Sequence, residues 1–331
     1  YPQQQTSVDI STPIPTVGRY IPAMTDVLRL GIIGTDEVIE NTLLPILAKQ
    51  KNIKIVAASG INSIQISGLL NDVKLFNKQE DVCSDQSVDA VIIASSVASV
   101  DNVICALQNK KAVLAHQPLV SDMTQLKLLS DFILLNPASH LMVSYNRIFS
   151  PFIHKIKKTI AKRVTPLMVH YRMNSCYSAR GSRTRLQNSA GKIIGDASEI
   201  IDLFCYLTDA NPVSVSVESV HSSRNDIFPT DNFSAHISFD DGSVTTLVLS
   251  SLGHPDLGYE RMELFFDEKS ILMEDFMELY GFGLYSWFNE TVTTPDMGYS
   301  SLVTSFIQGL KSDSSAIDVQ RLLVGMQLTL L

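Results

Sequence analysis

From Val27 onward the chain alternates short apolar runs with stretches in which apolar residues recur every three or four positions. Leu28-Arg29-Leu30-Gly31-Ile32-Ile33-Gly34 is an apolar run closed by glycine, Val38 to Lys49 follows at helical spacing, and Ile53 to Ala58 is a second run. That is a β-α-β unit. The pattern continues with a helix near Ser63 to Leu70, a strand at Val88 to Ala94, a helix at Ala98 to Gln108, a strand at Ala112 to Ala115, a helix at Met123 to Leu134 and a strand at Leu141 to Tyr145. Strands apolar on both faces and separated by helices imply a parallel sheet covered on both sides. This is a doubly wound α/β domain, with a ligand crevice at the carboxyl ends of its strands.

Beyond Asn146 the period changes. Helical patterns at Pro151 to Lys162 and Asp196 to Leu207 lead into alternating segments at Pro212 to Val220, Asn232 to Phe239, Ser243 to Ser251, Glu260 to Phe266 and Ser270 to Glu274. Asp240-Asp241-Gly242 supplies a tight hairpin turn between two of them. Helices near Ser301 to Leu310 and Ala316 to Leu330 close the chain. The alternation predicts an α+β domain with a mostly antiparallel open sheet. Such a sheet leaves a face to hide, so a homo-oligomer through it is expected, with unusually apolar outward positions. The divisions are an N-terminal arm or linker over 1–26, where Pro2, Pro13, Pro15 and Pro22 interrupt regular structure, and domains over 27–146 and 147–331.

Composition narrows the functions. With 331 residues, 45% apolar and 18% charged, the chain can bury two cores, and its net charge of −8 disfavours nucleic acid and anionic membranes as partners. No apolar run has transmembrane length and the sequence does not open on a charged-then-apolar leader, so a cytoplasmic protein is expected. The start at Tyr1 suggests processing, or a fragment of something longer. Cys83, Cys105, Cys176 and Cys205 are scattered without zinc-ligand spacing, so no metal is expected and the thiols read as core residues.

Four segments carry a resemblance. Lys111-Ala112-Val113-Leu114-Ala115-His116-Gln117-Pro118-Leu119 is similar to "G-K-x-V-x-x-E-K-P-L", and Val88-Asp89-Ala90-Val91-Ile92-Ile93-Ala94 to "V-D-A-V-V-I-A-T". Met142 to Pro151 resembles "M-V-G-F-N-R-R-F-S-P", and Gly191 to Asp202 resembles "G-R-I-I-G-E-A-C-H-F-I-D". In order and spacing these are the motifs of the Gfo/Idh/MocA family of nicotinamide-dependent oxidoreductases. The last, with Val56-Ala57-Ala58-Ser59-Gly60, is most like members appended to a zinc-type alcohol dehydrogenase half.

The resemblance implies a Rossmann-type dinucleotide-binding domain over 27–146 and a substrate and oligomerisation domain over 147–331. It also implies NAD or NADP as cofactor, a sugar, nucleotide-sugar or polyol substrate, and hydride transfer. Cofactor contacts fall on Gly34, Thr35, Asp36, Ser59, Ala94, Ser95 and Gln117. Substrate contacts fall on Asn174, Glu199 and Asp202, with Asn146 and Arg147 near the domain junction.

The departures from the family are as informative as the matches. A dinucleotide turn uses glycine where the backbone approaches the pyrophosphate, yet after Gly34 the chain has Asp36 and Ile39. Asp36 reads either as a helix N-cap or as a like charge facing the phosphates, worth about 3 kcal/mol at ~5 Å and an effective dielectric of ~20. Ser59 and Gly60 stand where an acidic residue would select the ribose. The family lysine is Gln117, which hydrogen-bonds but cannot titrate. The family histidine is Glu199, and His116 replaces the glutamate before the lysine, reading either as a titrating catalytic group or as a structural one. The catalytic candidates are thus Gln117, Glu199 and His116. Arg180, Arg183, Arg185 and Lys192 could grip an anionic substrate, or form a solvated loop. Three functions follow: a working oxidoreductase, a catalytically inactive relative kept as a binding or assembly partner, and a non-redox enzyme with His116 and Glu199 as acid and base.

Overall fold

The computed structural model describes residues 6–7, 27–34, 36–61, 73–94, 100–174, 193–223, 227–311 and 319–331. It divides into two compact units, one of Thr12–Tyr145 with Tyr299–Leu323, the other of Tyr1–Ser11, Asn146–Gly298 and Val324–Leu331. A two-residue strand, β1 (Thr6–Ser7), precedes both sheets and pairs in the second.

The first unit holds a six-stranded parallel sheet built from β2 (Leu28–Ile33), β3 (Ile53–Ser59), β4 (Lys74–Phe76), β5 (Ala90–Ile93), β6 (Ala112–Ala115) and β7 (Leu141–Val143). Its order is β4-β3-β2-β5-β6-β7, so the direction of winding reverses between β2 and β5. This is the dinucleotide-binding order, and its ligand crevice opens at that reversal. Every residue of β5, β6 and β7 is buried, which is why these strands read as unbroken apolar runs. The helical segments are a π-helical turn Ile39–Leu43 continuing into α1 (Leu44–Ala48), then α2 (Gln79–Ser84), α3 (Val100–Gln108) and α4 (Met123–Leu135). Asp122 starts α4 by accepting the Thr124 and Gln125 N–H groups, each at 2.9 Å.

Two motif residues find structural roles here. Asp89 accepts from Arg29 Nε at 2.9 Å, from its Nη2 at 2.6 Å and from its backbone N–H at 2.9 Å, tying the start of β5 to β2. Gly31 lies inside β2 because a Cβ there would come within 2.6 Å of Val82, so α2 could not pack where it does.

The second unit carries a nine-stranded sheet, β1-β9-β10-β11-β8-β12-β13-β14-β15. Its strands after β1 are β8 (Met168–Asn174), β9 (Pro212–Ser219), β10 (Phe233–Phe239), β11 (Val244–Ser250), β12 (Glu260–Phe266), β13 (Lys269–Glu274), β14 (Glu278–Phe282) and β15 (Glu290–Thr291). Neighbours are antiparallel except β8 and β11, which run parallel. The unit's helices are α5 (Pro151–Ile160) and α6 (Ser198–Thr208). The two last helices are α7 (Tyr299–Gly309) and α8 (Val319–Leu330).

The structure adds to the sequence reading and corrects it in places. β4, α2, β8, β14 and β15 were not expected, and β8 is central, lying between β11 and β12. The expected helix at 63–70 lies outside the described residues. The helix α7 belongs with the parallel sheet, packing against Ile39–Ala48 and placing Phe306 against His140, with ring centroids 5.6 Å apart. The arm contributes β1, paired at Thr6↔Val215.

The open face of the second sheet is not uniformly apolar as expected. Arg261 bridges Glu263 at 2.7 Å and Glu274 at 2.6 Å, with His170 and Arg172 on the adjoining strand. Exposed apolar residues gather at one end, where Val244, Met168 and Phe265 are cross-strand neighbours and Phe282 follows beyond Ser270. No helix of the described residues is long and apolar enough to cross a membrane.

Candidate functional site

The carboxyl ends of β2, β3, β5 and β6 bring together most of the residues expected to meet a cofactor. Gly34 donates its N–H to Ser59 O at 2.7 Å, Ala94 donates to Ile33 O at 2.9 Å, and His116 donates to Ile93 O at 2.8 Å. Gly34 and Gly60 have φ of 70° and 68°, a backbone region that favours glycine, and a Cβ on Gly60 would lie 3.4 Å from Gly34 Cα. Two bare backbones therefore meet at the mouth of the sheet. Thr35 and Ser95 lie outside the described residues.

Asp36 takes the first of its two sequence readings, the helix N-cap. Its Oδ1 accepts the Ile39 N–H at 2.9 Å, the hydrogen bond of an N-cap, and its Oδ2 lies 3.3 Å from His116 Nδ1. The imidazole nitrogen is not aligned to make a hydrogen bond there, so the contact is one of proximity. The next residue, Gln117, joins Pro118 through a cis peptide bond. At the end of β7, Ser144 keeps a buried hydroxyl without a hydrogen-bond partner among the described residues.

In the second unit Asn174, Glu199 and Asp202 are all buried. Asn174 ends β8 and donates Nδ2 to His254 O at 2.8 Å, while a Cβ on Gly253 would collide with its carboxamide. Glu199 and Asp202 lie three residues apart on α6 and so share a face. Glu199 accepts the Arg147 backbone N–H at 2.8 Å on one oxygen and the Arg147 guanidinium on the other. The same guanidinium holds Glu260 through two bonds, Nε to Oε2 at 3.0 Å and Nη2 to Oε1, and Tyr171 donates its hydroxyl to Glu260 Oε2.

Burial opposes the charge on Arg147, but Glu199 and then Glu260 outweigh it and hold its pKa well above the ordinary value. Burial, followed by the Glu260 charge, pushes the Tyr171 phenol well up, so it remains a donor. Tyr259 is raised by burial and then by Asp196. Both Glu199 oxygens accept from Arg147, so a proton taken up by this carboxylate would weaken its pairing with a buried cation.

Sequence reasoning missed Tyr171 and Glu260 altogether. Arg180, Arg183, Arg185 and Lys192 lie outside the described residues, as does Cys176. Cys83 and Cys205 are buried and Cys105 is half-buried; burial first, then the neighbouring Cys105, pushes the Cys83 thiol up to about 12. Among the described residues no group of three or more His, Cys, Asp or Glu side chains could hold a metal ion.

The strand-end glycines Gly34 and Gly60 suit a dinucleotide whose pyrophosphate needs close backbone approach. Asp36 caps the helix N-terminus that would receive such phosphates, with His116 beside it.

Residues 28–133 match the oxidoreductase family GFO_IDH_MocA, described as an NAD-binding Rossmann fold. No curated protein sequence matches the chain. Among solved structures, an oxidoreductase from Thermotoga maritima aligns with TM-score 0.76 and 16% identity over 92% of this chain and 95% of its own. Myo-inositol dehydrogenase from Lactobacillus casei, in complex with NAD(H) and myo-inositol, aligns with TM-score 0.72 and 17% identity over 92% and 93%. Scyllo-inositol dehydrogenase from the same organism, with NAD(H) and scyllo-inositol, aligns with TM-score 0.73 and 16% identity over 92% and 95%. Residues 28–133 are thus similar to that family's NAD-binding Rossmann fold, and the whole chain shares the two-domain fold of these solved structures.

Proposed function

We propose that the chain is an NAD(P)-dependent oxidoreductase of the Gfo/Idh/MocA family, moving a hydride between the nicotinamide and a sugar, nucleotide sugar or polyol. The observation that carries this reading is the strand order β4-β3-β2-β5-β6-β7, with Gly34 and Gly60 meeting beside its reversal, in a segment whose sequence matches an NAD-binding family. The inositols bound by the two Lactobacillus casei enzymes favour a polyol among the substrate classes. The motif from Gly191 to Asp202 relates the chain to members appended to a zinc-type alcohol dehydrogenase half. A cytoplasmic homo-oligomer belongs to the same reading, supported by the exposed apolar row at one end of the second sheet.

Gly34, Ser59 and Ala94 line the cofactor side, and the nicotinamide, when bound, supplies or accepts the hydride. Gln117 orients a substrate hydroxyl by hydrogen bonds without moving its proton. Asn174 and Asp202 are the second unit's own candidates for a substrate contact, and basic residues among Arg180, Arg183, Arg185 and Lys192 favour an anionic one. The second reading, a relative that binds but does not turn over, draws support from Glu199, whose oxygens are taken up by Arg147.

Titration with NAD(H) and NADP(H), followed by turnover assays with myo- and scyllo-inositol, separates the two. A general acid-base group contributes about 10²–10⁴ in rate, so Gln117→Lys is expected to raise kcat at least ~tenfold. Cofactor binding with no turnover in either form would favour the silent relative.

A further inference from the structure

Two departures from the family motifs, Asp36 for a glycine and His116 for a glutamate, lie against each other at one end of the parallel sheet. Their side chains are only 15% and 11% exposed, with Asp36 Oδ2 3.3 Å from His116 Nδ1. Asp36 Oδ1 meanwhile takes the Ile39 N–H, one of the donors with which the start of that helix would receive an anion. The carboxylate thus stands in for a phosphate, and the imidazole is placed to balance it. The other charged residues of this helical start are Glu37 and Glu40, on the same element. The strands flanking β6 end in Ile93-Ala94 and Val143-Ser144 and bring no charge to His116.

We infer that Asp36 and His116 form a proton-linked pair that sets the affinity for the cofactor diphosphate, so that binding a dinucleotide draws a proton onto His116. This rests on the dinucleotide reading above. With the imidazole neutral, the diphosphate approaches the Asp36 carboxylate without an added cation; with imidazolium present, one positive charge stands beside it. A ligand that prefers the protonated form must by linkage favour proton uptake on binding. Affinity therefore falls as pH rises through the interval in which imidazoles titrate. The carboxylate remains as the helix cap in both states.

The test is calorimetric titration of the full chain with NADH and NADPH from pH ~5.5 to ~8.5, in two buffers of different ionisation enthalpy, on wild type, Asp36→Asn and His116→Gln. Asparagine caps helices as well as aspartate does, so Asp36→Asn removes the charge and keeps the turn. In wild type, Kd should weaken about tenfold or more across the interval, with net proton uptake near neutrality. His116→Gln should bind at the weak, high-pH level with no pH dependence. Asp36→Asn should bind about tenfold or more tightly than wild type at the high-pH end, the scale of one like charge removed beside the ligand. Equal wild-type Kd values across the interval, or a pH slope retained in His116→Gln, would overturn the pair while leaving the dinucleotide reading intact. No binding of either cofactor at millimolar concentration by any of the three proteins would overturn both.

Discussion

The chain holds two charged clusters built on opposite terms. Around Arg147, the turn after β7, the strands β8 and β12 and the helix α6 each contribute one group, and the guanidinium is satisfied on Glu199 and Glu260 with Tyr171 behind them. Around His116, one carboxylate approaches without alignment and divides itself between the imidazole and a helix cap. In the first cluster both carboxylates are engaged by one guanidinium inside the protein. The second holds its charges in loose register beside a crevice, where a bound anion can change what it costs to protonate one of them.

The contrast can be broken first at Arg147. Replacing it with Met leaves Glu199 and Glu260 buried without their shared cation, and removing one partner of such a group costs about 3–5 kcal/mol. Urea unfolding of Arg147→Met should show a loss of that size; a loss below ~1 kcal/mol would mean the cluster adds little to the fold.

Asp36→Asn and His116→Gln should each cost less than about 1 kcal/mol in the same assay, since the cap survives one change and the other removes an unaligned contact. A larger loss would make this pair structural and erase the distinction.

The smallest effect belongs to Asp85. The Ser87 hydroxyl works against burial, helped by the Ser87 N–H and Lys74, and lowers the Asp85 carboxyl from 3.8 to about 2. A depressed folded-state value stabilises above the unfolded pKa and is lost as pH falls through the folded one. Asp85→Asn should therefore be less stable than wild type by at most ~0.5 kcal/mol at neutral pH, with the gap closing as pH drops from about 4 toward 2.

How far the sequence reveals each region follows from where its signal lies. The strands β5 and β6 were legible almost to the residue because they are buried on both faces and bounded by turns. β8 was not, although Val169, Tyr171 and Met173 point inward and alternate with His170 and Arg172. Its charged outward positions hide a central strand behind the appearance of a polar segment. β4 has three residues and none buried, so it leaves no period to read.

At the site, the individual departures at Asp36, Gln117 and His116 stood out against the family motifs, but their partnerships did not. The Arg147 cluster joins residues up to 113 positions apart, and Glu260 sits at the start of a strand where a polar residue is unremarked. Local spacing carries no trace of contacts that only the sheet order creates.

The unit that holds the parallel sheet is interrupted in sequence, since α7 packs against Ile39–Ala48 after the whole second sheet has been threaded. On the ribosome, its last covering helix emerges only when Tyr299–Gly309 has been made, long after β7. During translation the apolar side chains that α7 covers stay uncovered until that helix is made. A fragment ending near Tyr145 is accordingly a poor choice for expressing this unit alone.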